Sequence, residues 1–283
     1  MIEIITDSGS DIPQKEAEKS GIRVIPIVTI FGKEEFLDGA TITHEEFYHR
    51  MEDLHEYPKT TQVNPTTYQK AFEEELEKGN EVICITLGSK LSGCYQSALI
   101  AKDMIGSDKV HVVDSNSVCV GQRNLVYLAL DCLSKNMECD AIVSFLEKKK
   151  EDIVVLAAVD TLEYLQKGGR ISKTTAFIGS VLSIKPVIEL EDGVIKIVGK
   201  ARGYKNAHNL INKTIDKYNG IDFSLPLCVG YSGRSDEVLR KYLEASKPIY
   251  ESYIQEVPMY GIGAAIGTHC GPGTIALSFF RRS

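Results

Sequence analysis

Two hydroxyl-rich stretches carry the clearest chemical signal in this chain. The first is Thr60–Thr61–Gln62, followed by Val63–Asn64–Pro65 and a charged amphipathic run from Thr66. Asn64 before Pro65 reads as an N-cap and a first helical position. The second is Gly88–Ser89–Lys90–Leu91–Ser92–Gly93, after the apolar run Val82–Leu87 and before a helical run from Tyr95. Free backbone N–H groups and the positive dipole end at a helix start attract anions. Two such loops could converge on one small anionic group. The competing account is ordinary capping, for which Ser, Thr, Asn and Gly are common choices. A third candidate is His269, in Gly267–Thr268–His269–Cys270–Gly271–Pro272–Gly273. There a glycine-rich turn would let a backbone approach a ligand, and the imidazole could donate to an anion. A turn histidine without a role fits the same sequence.

The elements that must position these residues follow from periodicity. Strands are expected at Ile2–Thr6, Val24–Phe31, Val82–Leu87, Val110–Val113 and Ile153–Val159. Helices are expected at His44–Asp53, Thr66–Lys78, Tyr95–Ile105, Gly121–Lys135, Asp140–Lys150, Gly203–Tyr218 and Asp236–Ala245. Asp11 should cap a helix opening at Pro13. Thr43 and Glu46 have capping-box spacing. Alternation of strands and helices implies a mainly parallel α/β sheet, with polar strand ends on one crest. Those ends are Asp7–Ser8, Ser89 to Ser92, and Asp114–Ser115. A domain boundary is expected at 152/153, giving an N-terminal α/β domain over 1–152 and a C-terminal α/β domain over 153–283, with the ligand site between them. The second is more mixed, with a hairpin of Val187–Leu190 and Val194–Val198 around Glu191–Asp192–Gly193. Lys185–Pro186 should break an apolar helix at Thr174–Leu182, and strands are expected at Leu227–Tyr231, Ser252–Val257 and Thr274–Phe280.

Composition narrows the classes. The chain has 283 residues, 43% hydrophobic and 25% charged, with a formal net charge of −7. That acidity argues against bulk nucleic-acid binding and a general pull to anionic membranes. No apolar run approaches a membrane span and no signal peptide is evident, so a cytoplasmic protein without stable membrane insertion is expected. The seven cysteines form no CxxC pair, as expected for reduced thiols. No metal-ligand pattern is present. Gly261–Ile262–Gly263–Ala264–Ala265–Ile266–Gly267 is off the dinucleotide spacing by one and is rejected. His44 and His49 read as surface helix residues.

Taken together, several stretches resemble the DegV family. They are Thr6–Asp7–Ser8, Thr60–Thr61–Gln62, Leu91–Ser92–Gly93–Cys94–Tyr95–Gln96–Ser97–Ala98, Val113–Asp114–Ser115, Leu165–Gln166–Lys167–Gly168–Gly169–Arg170–Ile171–Ser172, Ile184–Lys185–Pro186 and His269–Cys270–Gly271–Pro272–Gly273. The resemblance implies a two-domain α/β protein that holds one long-chain fatty acid, such as palmitate or oleate, between its domains. Its FakB-type members imply a partner: a fatty acid kinase phosphorylates the bound carboxylate, and the acyl-phosphate feeds phospholipid synthesis. By motif, Thr60, Thr61, Ser92, Gly93 and His269 would form the carboxylate site. By the same resemblance Arg170 and Arg202 would lie at the ligand mouth, on the side that would face the kinase. No catalytic residue, metal or cofactor is implied beyond the fatty acid itself. Two positions depart from the family pattern: Cys94 where Thr is usual, and Val63 where Pro is usual. An acyl chain suits an apolar cavity, at ~0.8 kcal/mol per buried CH₂. Phe177, Ile178, Leu182 and Ile184 are candidate tail-lining residues. The alternatives are an acyl hydrolase using Ser92 and His269, for which no acid is placed to orient the histidine, and a protein–protein regulator that holds lipid as filler.

Overall fold

The structure is a computed structural model and describes residues 1–172 and 183–282. The proposed helix at Thr174–Leu182, and with it Phe177, Ile178 and Leu182, lies outside the described residues. The described residues form two large sheets and a small one. The first large sheet is wholly parallel, in the order β2 (Ile22–Ile25), β1 (Ile2–Asp7), β6 (Glu81–Thr86), β7 (Val110–Asp114). Inner strand β6 carries the continuous apolar run Val82–Ile85 because both faces of the sheet are covered. The covering helices include α1 (Gln14–Ser20), α3 (Pro65–Glu77), α4 (Cys94–Ile105) and α5 (Val120–Ser134).

The second large sheet has six strands. Their order is β10 (Val194–Arg202), β9 (Ile184–Glu191), β8 (Ile153–Ala158), β13 (Ile275–Phe280), β11 (Cys228–Tyr231), β12 (Met259–Gly261). It is mixed: β11 and β12 are parallel and the other neighbours antiparallel. One face packs on α8 (Gly203–Lys217), whose Ala207, Ile211 and Ile215 are buried. The small antiparallel sheet joins β4 (Glu34–Leu37), β3 (Val28–Phe31) and β5 (Lys59–Thr61). Helix α5 packs against strands of both large sheets. Its ten buried residues leave it almost without a solvent face, and Leu125 and Leu128 share a core with Phe280 of β13.

Several elements differ from the sequence expectation. The apolar run Val24–Phe31 is divided between β2 and β3, which enter different sheets. Pro186 does not end an element but sits inside β9. The paired ladder to β8 ends at Val187: Pro186 O still accepts from Val159 N at 3.0 Å, but the N–H that proline lacks cannot return the bond, so the ladder stops there. Ser252–Val257 is turn and coil, and the strand comes later as β12. Pro13, not Asp11, precedes α1. Asp11 has φ +52 and its carboxylate turns away to Gly263 N, at 2.8 Å. The expected caps Thr43 and Asn64 form, accepting from Glu46 N at 3.1 Å and Thr66 N at 3.1 Å. All seven cysteines are free and buried.

Candidate functional site

A cavity of about 300 Å³ lies between the face of the six-stranded sheet and the crest of the parallel one. Val155 and Ala157 of β8, Ile188 and Leu190 of β9 and Ile195 of β10 form one wall. Ile27, Leu87 and Val118, with Ala265 and Ile266 of the short helix α11 (Ala264–Cys270), face it. These side chains offer contact area and no hydrogen bonds.

Polar groups gather at one end. Thr60 and Thr61 reach it on β5, an edge strand paired only to β3 in the register Thr29↔Thr60 and Val28↔Thr61. The sequence suggested a loop there; the strand pairing fixes the two hydroxyls more firmly. Thr60 Oγ1 lies 2.9 Å from His269 Nε2. His269 is not in a glycine-rich turn but in the last turn of α11. That helix is held at its start by two buried carboxylates, Asp11 accepting from Gly263 N and Asp38 from Ala264 N, each at 2.8 Å. Neither aspartate was singled out for this from the sequence. They are remote from α11 along the chain, and only the fold brings them to it.

Ser92 and Gly93 come from the β6–α4 loop and also line the cavity. Gly93 is required by a close approach. A Cβ there would fall 1.8 Å from Gln62 Oε1. Gln62 in turn donates from Nε2 to Ser97 Oγ at 3.0 Å, tying β5 to α4 (Cys94–Ile105). Ser92 Oγ accepts from Cys94 N at 3.3 Å and donates to Cys94 Sγ at 3.2 Å. Burial pushes the Cys94 thiol up to about 12, so it stays protonated. Ser92 therefore bonds to Cys94 and not to His269. No hydrogen bond between Ser92 and His269 exists among the described residues, so the pair the hydrolase alternative needs is not assembled here.

Arg170 follows α7 (Glu163–Lys167) and lines the same end. Its Nε donates to Leu91 O at 3.0 Å and its Nη1 to Gly168 O at 2.5 Å. No carboxylate lies within ion-pair distance of it among the described residues. Burial lowers its pKa, yet a guanidinium stays charged. Burial, and then the Arg170 charge, pull His269 down to about 4, so the imidazole is neutral near pH 7. Gly168 packs on the other ring nitrogen: a Cβ at Gly168 would come within 2.2 Å of His269 Nδ1. That nitrogen is buried without a partner.

Of the residues named from the sequence, Thr60, Thr61, Ser92, Gly93, His269 and Arg170 all border one cavity. Arg202 does not border it; it is exposed at the end of β10, where its carbonyl accepts from Asn206 Nδ2 at 2.7 Å. Ile184 opens β9 and is half-buried, also outside the described lining. Gln62, Ser97 and Cys94 were not named as site residues. The tie from Gln62 to Ser97 spans 35 positions, and no local pattern marks it. His44 was read as a surface residue, but its Nε2 lies 2.8 Å from Gly233 O and its ring packs on Tyr48 and Tyr231.

The fold and the site define an α/β protein with an amphipathic cavity enclosed between two sheets: apolar along its length, hydrogen-bonding at one end. The family model described as "Uncharacterised protein, DegV family" matches residues 1–282, and the chain belongs to that family. A DegV domain-containing protein of Caldanaerobacter subterraneus is 36% identical over 280 residues, covering 98% of each chain. Among solved structures, a DegV family protein of Thermus thermophilus described for fatty acid binding superposes with a TM-score of 0.88 at 29% identity, over 99% of each chain. A stearic acid-binding protein of Eubacterium ventriosum superposes with a TM-score of 0.89 at 27% identity, over 99% of this chain and 98% of that one.

Proposed function

We propose that this chain binds one long-chain fatty acid, of the palmitate or oleate class, with its carboxylate at the Thr60–His269 end and its tail along the apolar cavity. The observation that carries this reading is a polar cluster with donors to spare at the end of an otherwise apolar cavity. The proton of neutral His269 is best assigned to Nε2, since an N–H on Nδ1 would be buried against Gly168 with no acceptor. His269 then donates to Thr60 Oγ1, and the Thr60 hydroxyl hydrogen is free for the ligand. Thr61 supplies a further hydroxyl, Ser92 a second once its O–H turns from the weak acceptor Cys94 Sγ to the ligand, and the remaining N–H groups of Arg170 supply positive charge. A buried carboxylate needs such partners to remain ionised.

Membership of the DegV family and solved relatives that bind fatty acids support the same assignment. In this reading residues 1–152 and 153–283 are two domains with the ligand between them. The protein is a cytoplasmic carrier, not an enzyme, and presents the carboxylate to a fatty acid kinase for acyl-phosphate formation and phospholipid synthesis. Exposed Thr61 and Gln62 place the polar end near solvent, where a partner could reach it. Arg202, exposed and outside the cavity, is the residue assigned to that partner.

Native mass spectrometry with lipid extraction tests the ligand. The purified chain should carry a single fatty acid, and the Thr61→Ala/Ser92→Ala double variant should retain far less. A chain that carries no lipid and takes up neither added palmitate nor oleate would refute the assignment.

A further inference from the structure

A second cleft, of about 570 Å³, lies outside the acyl cavity and shares no residue with it. It is lined by Lys148, Lys149, Lys217, Arg281 and Arg282, with Asp152 as its one carboxylate. The cations come from three separate segments: the end of α6 (Cys139–Lys149), the end of α8, and the residues after β13. In a chain of net charge −7, five converging cations against one acid call for a reason.

Helix dipoles account for part of it, since lysines at the ends of α6 and α8 face the negative pole of their helices. Arg281 and Arg282 are on neither helix. Several of the cations are also braced. Asp152 holds Lys149 Nζ at 3.0 Å and Arg281 Nε at 3.3 Å. Arg281 N donates to Asp152 O at 2.9 Å, which fixes the backbone beneath. Lys217 Nζ lies 3.3 Å from Glu189 Oε1. Arg282 Nε donates to Ile221 O at 2.9 Å, and its guanidinium lies 5.8 Å from the Tyr253 ring centre. Lys148 and Arg282 have no carboxylate partner among the described residues. Phe145 and Tyr218 add rings, and Asn219 an amide, to the same lining.

We propose that this cleft binds a small soluble phosphate-bearing molecule, with its phosphate between Lys148, Arg281 and Arg282 and its organic part against Phe145 and Tyr218. Two guanidiniums braced in advance, Arg281 by Asp152 and Arg282 by Ile221 O, with the ammonium of Lys148 beside them, suit a compact dianion, and the cleft has room for more than an inorganic ion. The inference does not depend on what the acyl cavity holds.

Isothermal titration of the full chain with inorganic pyrophosphate, at about 0.15 M salt where long-range attraction is screened, tests it. The expected result is saturable one-site binding that weakens about tenfold or more in Lys148→Ala/Arg282→Ala, as for the loss of two charge-assisted contacts. Neither residue lines the acyl cavity, so fatty-acid retention should stay unchanged. If the double variant does not fold, Lys148→Ala alone should still weaken binding several-fold. Absence of saturable binding, or equal binding by the variants, would overturn the proposal. So would attachment to phosphatidylglycerol vesicles through these residues without competition from pyrophosphate, because that would make the target a lipid surface.

Discussion

Two buried polar clusters lie close in this fold, and their difference separates scaffold from site. Asp7, at the end of β1, is fully buried and every bond it needs is made inside the protein. It accepts from Gly9 N at 3.0 Å, Leu87 N at 2.9 Å, Tyr68 Oη at 3.2 Å and Gln122 Nε2 at 3.1 Å. The Thr60–His269 cluster is the reverse: one hydrogen bond joins Thr60 to His269, the Thr60 and Thr61 hydroxyls keep donors to spare, and the half-buried Arg170 bonds only to carbonyls, with no carboxylate near it among the described residues. The first has nothing to offer a ligand. The second is incomplete as it stands, and it opens into a cavity. Both are polar groups set among apolar ones, so polarity alone does not tell them apart; the count of unmet donors does.

The largest effect is expected from breaking the closed cluster. Asp7→Ala would strand the hydroxyl of Tyr68 and the N–H groups of Leu87 and Gly9 in the core, while Gln122 Nε2 keeps Thr6 Oγ1 at 3.0 Å. Loss of stability of roughly 3–5 kcal/mol is expected from uncompensated buried groups of this kind, measured by urea unfolding. A variant of wild-type stability would contradict the scaffold role. Next is Gly93→Ala. Its Cβ would collide with Gln62 Oε1, so the Gln62 side chain must swing away and give up its bond to Ser97, which ties the end of β5 to α4. Fatty-acid retention should collapse while stability falls by about 1–3 kcal/mol, and retention equal to wild type would show that this contact does not position the site.

Changes in the open cluster should act on the ligand more than on the fold. Thr60→Val keeps the shape and removes the hydroxyl. Fatty-acid affinity should drop about tenfold, the equivalent of ~1.4 kcal/mol, with a stability change under about 1 kcal/mol. A large loss of stability with unchanged affinity would reverse the comparison.

A subtler test uses pH. Burial raises the Asp11 carboxyl to about 7, the charge of Asp38 adding to the rise while a hydrogen bond from Cys119 opposes it. A raised carboxyl pKa means that the folded state binds the proton more tightly than the unfolded state. Its contribution is therefore complete below the unfolded value near 4 and is lost as pH rises through about 7. His269, lowered to about 4 from 6.5, has the opposite slope: its contribution is present above 6.5 and is lost as pH falls towards 4. Asp11→Asn should therefore gain on the wild type as pH rises from about 4 to about 7. A stability difference that does not change with pH would mean that Asp11 is ionised in the fold. The smallest effect on ligand retention is expected from Arg202→Ala, outside the cavity: none, although transfer of phosphoryl from the kinase should fall. Unchanged transfer would remove its partner role.

Much of this was legible in the sequence, for identifiable reasons. The parallel sheet follows from continuous apolar runs such as Val82–Leu87, and the caps Thr43 and Asn64 follow from local spacing. Thr60, Thr61, Ser92 and His269 each stand in a short motif, and those motifs do meet at one cavity. What stayed hidden depends on long-range pairing. Val24–Phe31 reads as one strand because nothing local says that its halves join different sheets. Pro186 reads as a breaker because only the end of the β8 ladder makes it tolerable. His269 reads as a turn residue because the carboxylates that hold its helix, Asp11 and Asp38, lie far earlier in the chain. His44 reads as surface because its partners, Tyr231 and Gly233, come from the other end of the sequence.

The central claim is that a fatty-acid carboxylate completes the open cluster. Palmitate labelled with ¹³C at its carboxyl carbon, bound to the protein and followed by NMR across about pH 5 to 8, tests this directly. A carboxylate held by hydroxyls and Arg170 should give one resonance at the ionised position that does not titrate over this range. In Thr60→Val it should move, and in Arg170→Ala it should begin to titrate. A carboxyl carbon that titrates in the wild-type protein as it does in water, and that ignores both substitutions, would place the carboxylate outside the Thr60–His269 cluster and contradict the account.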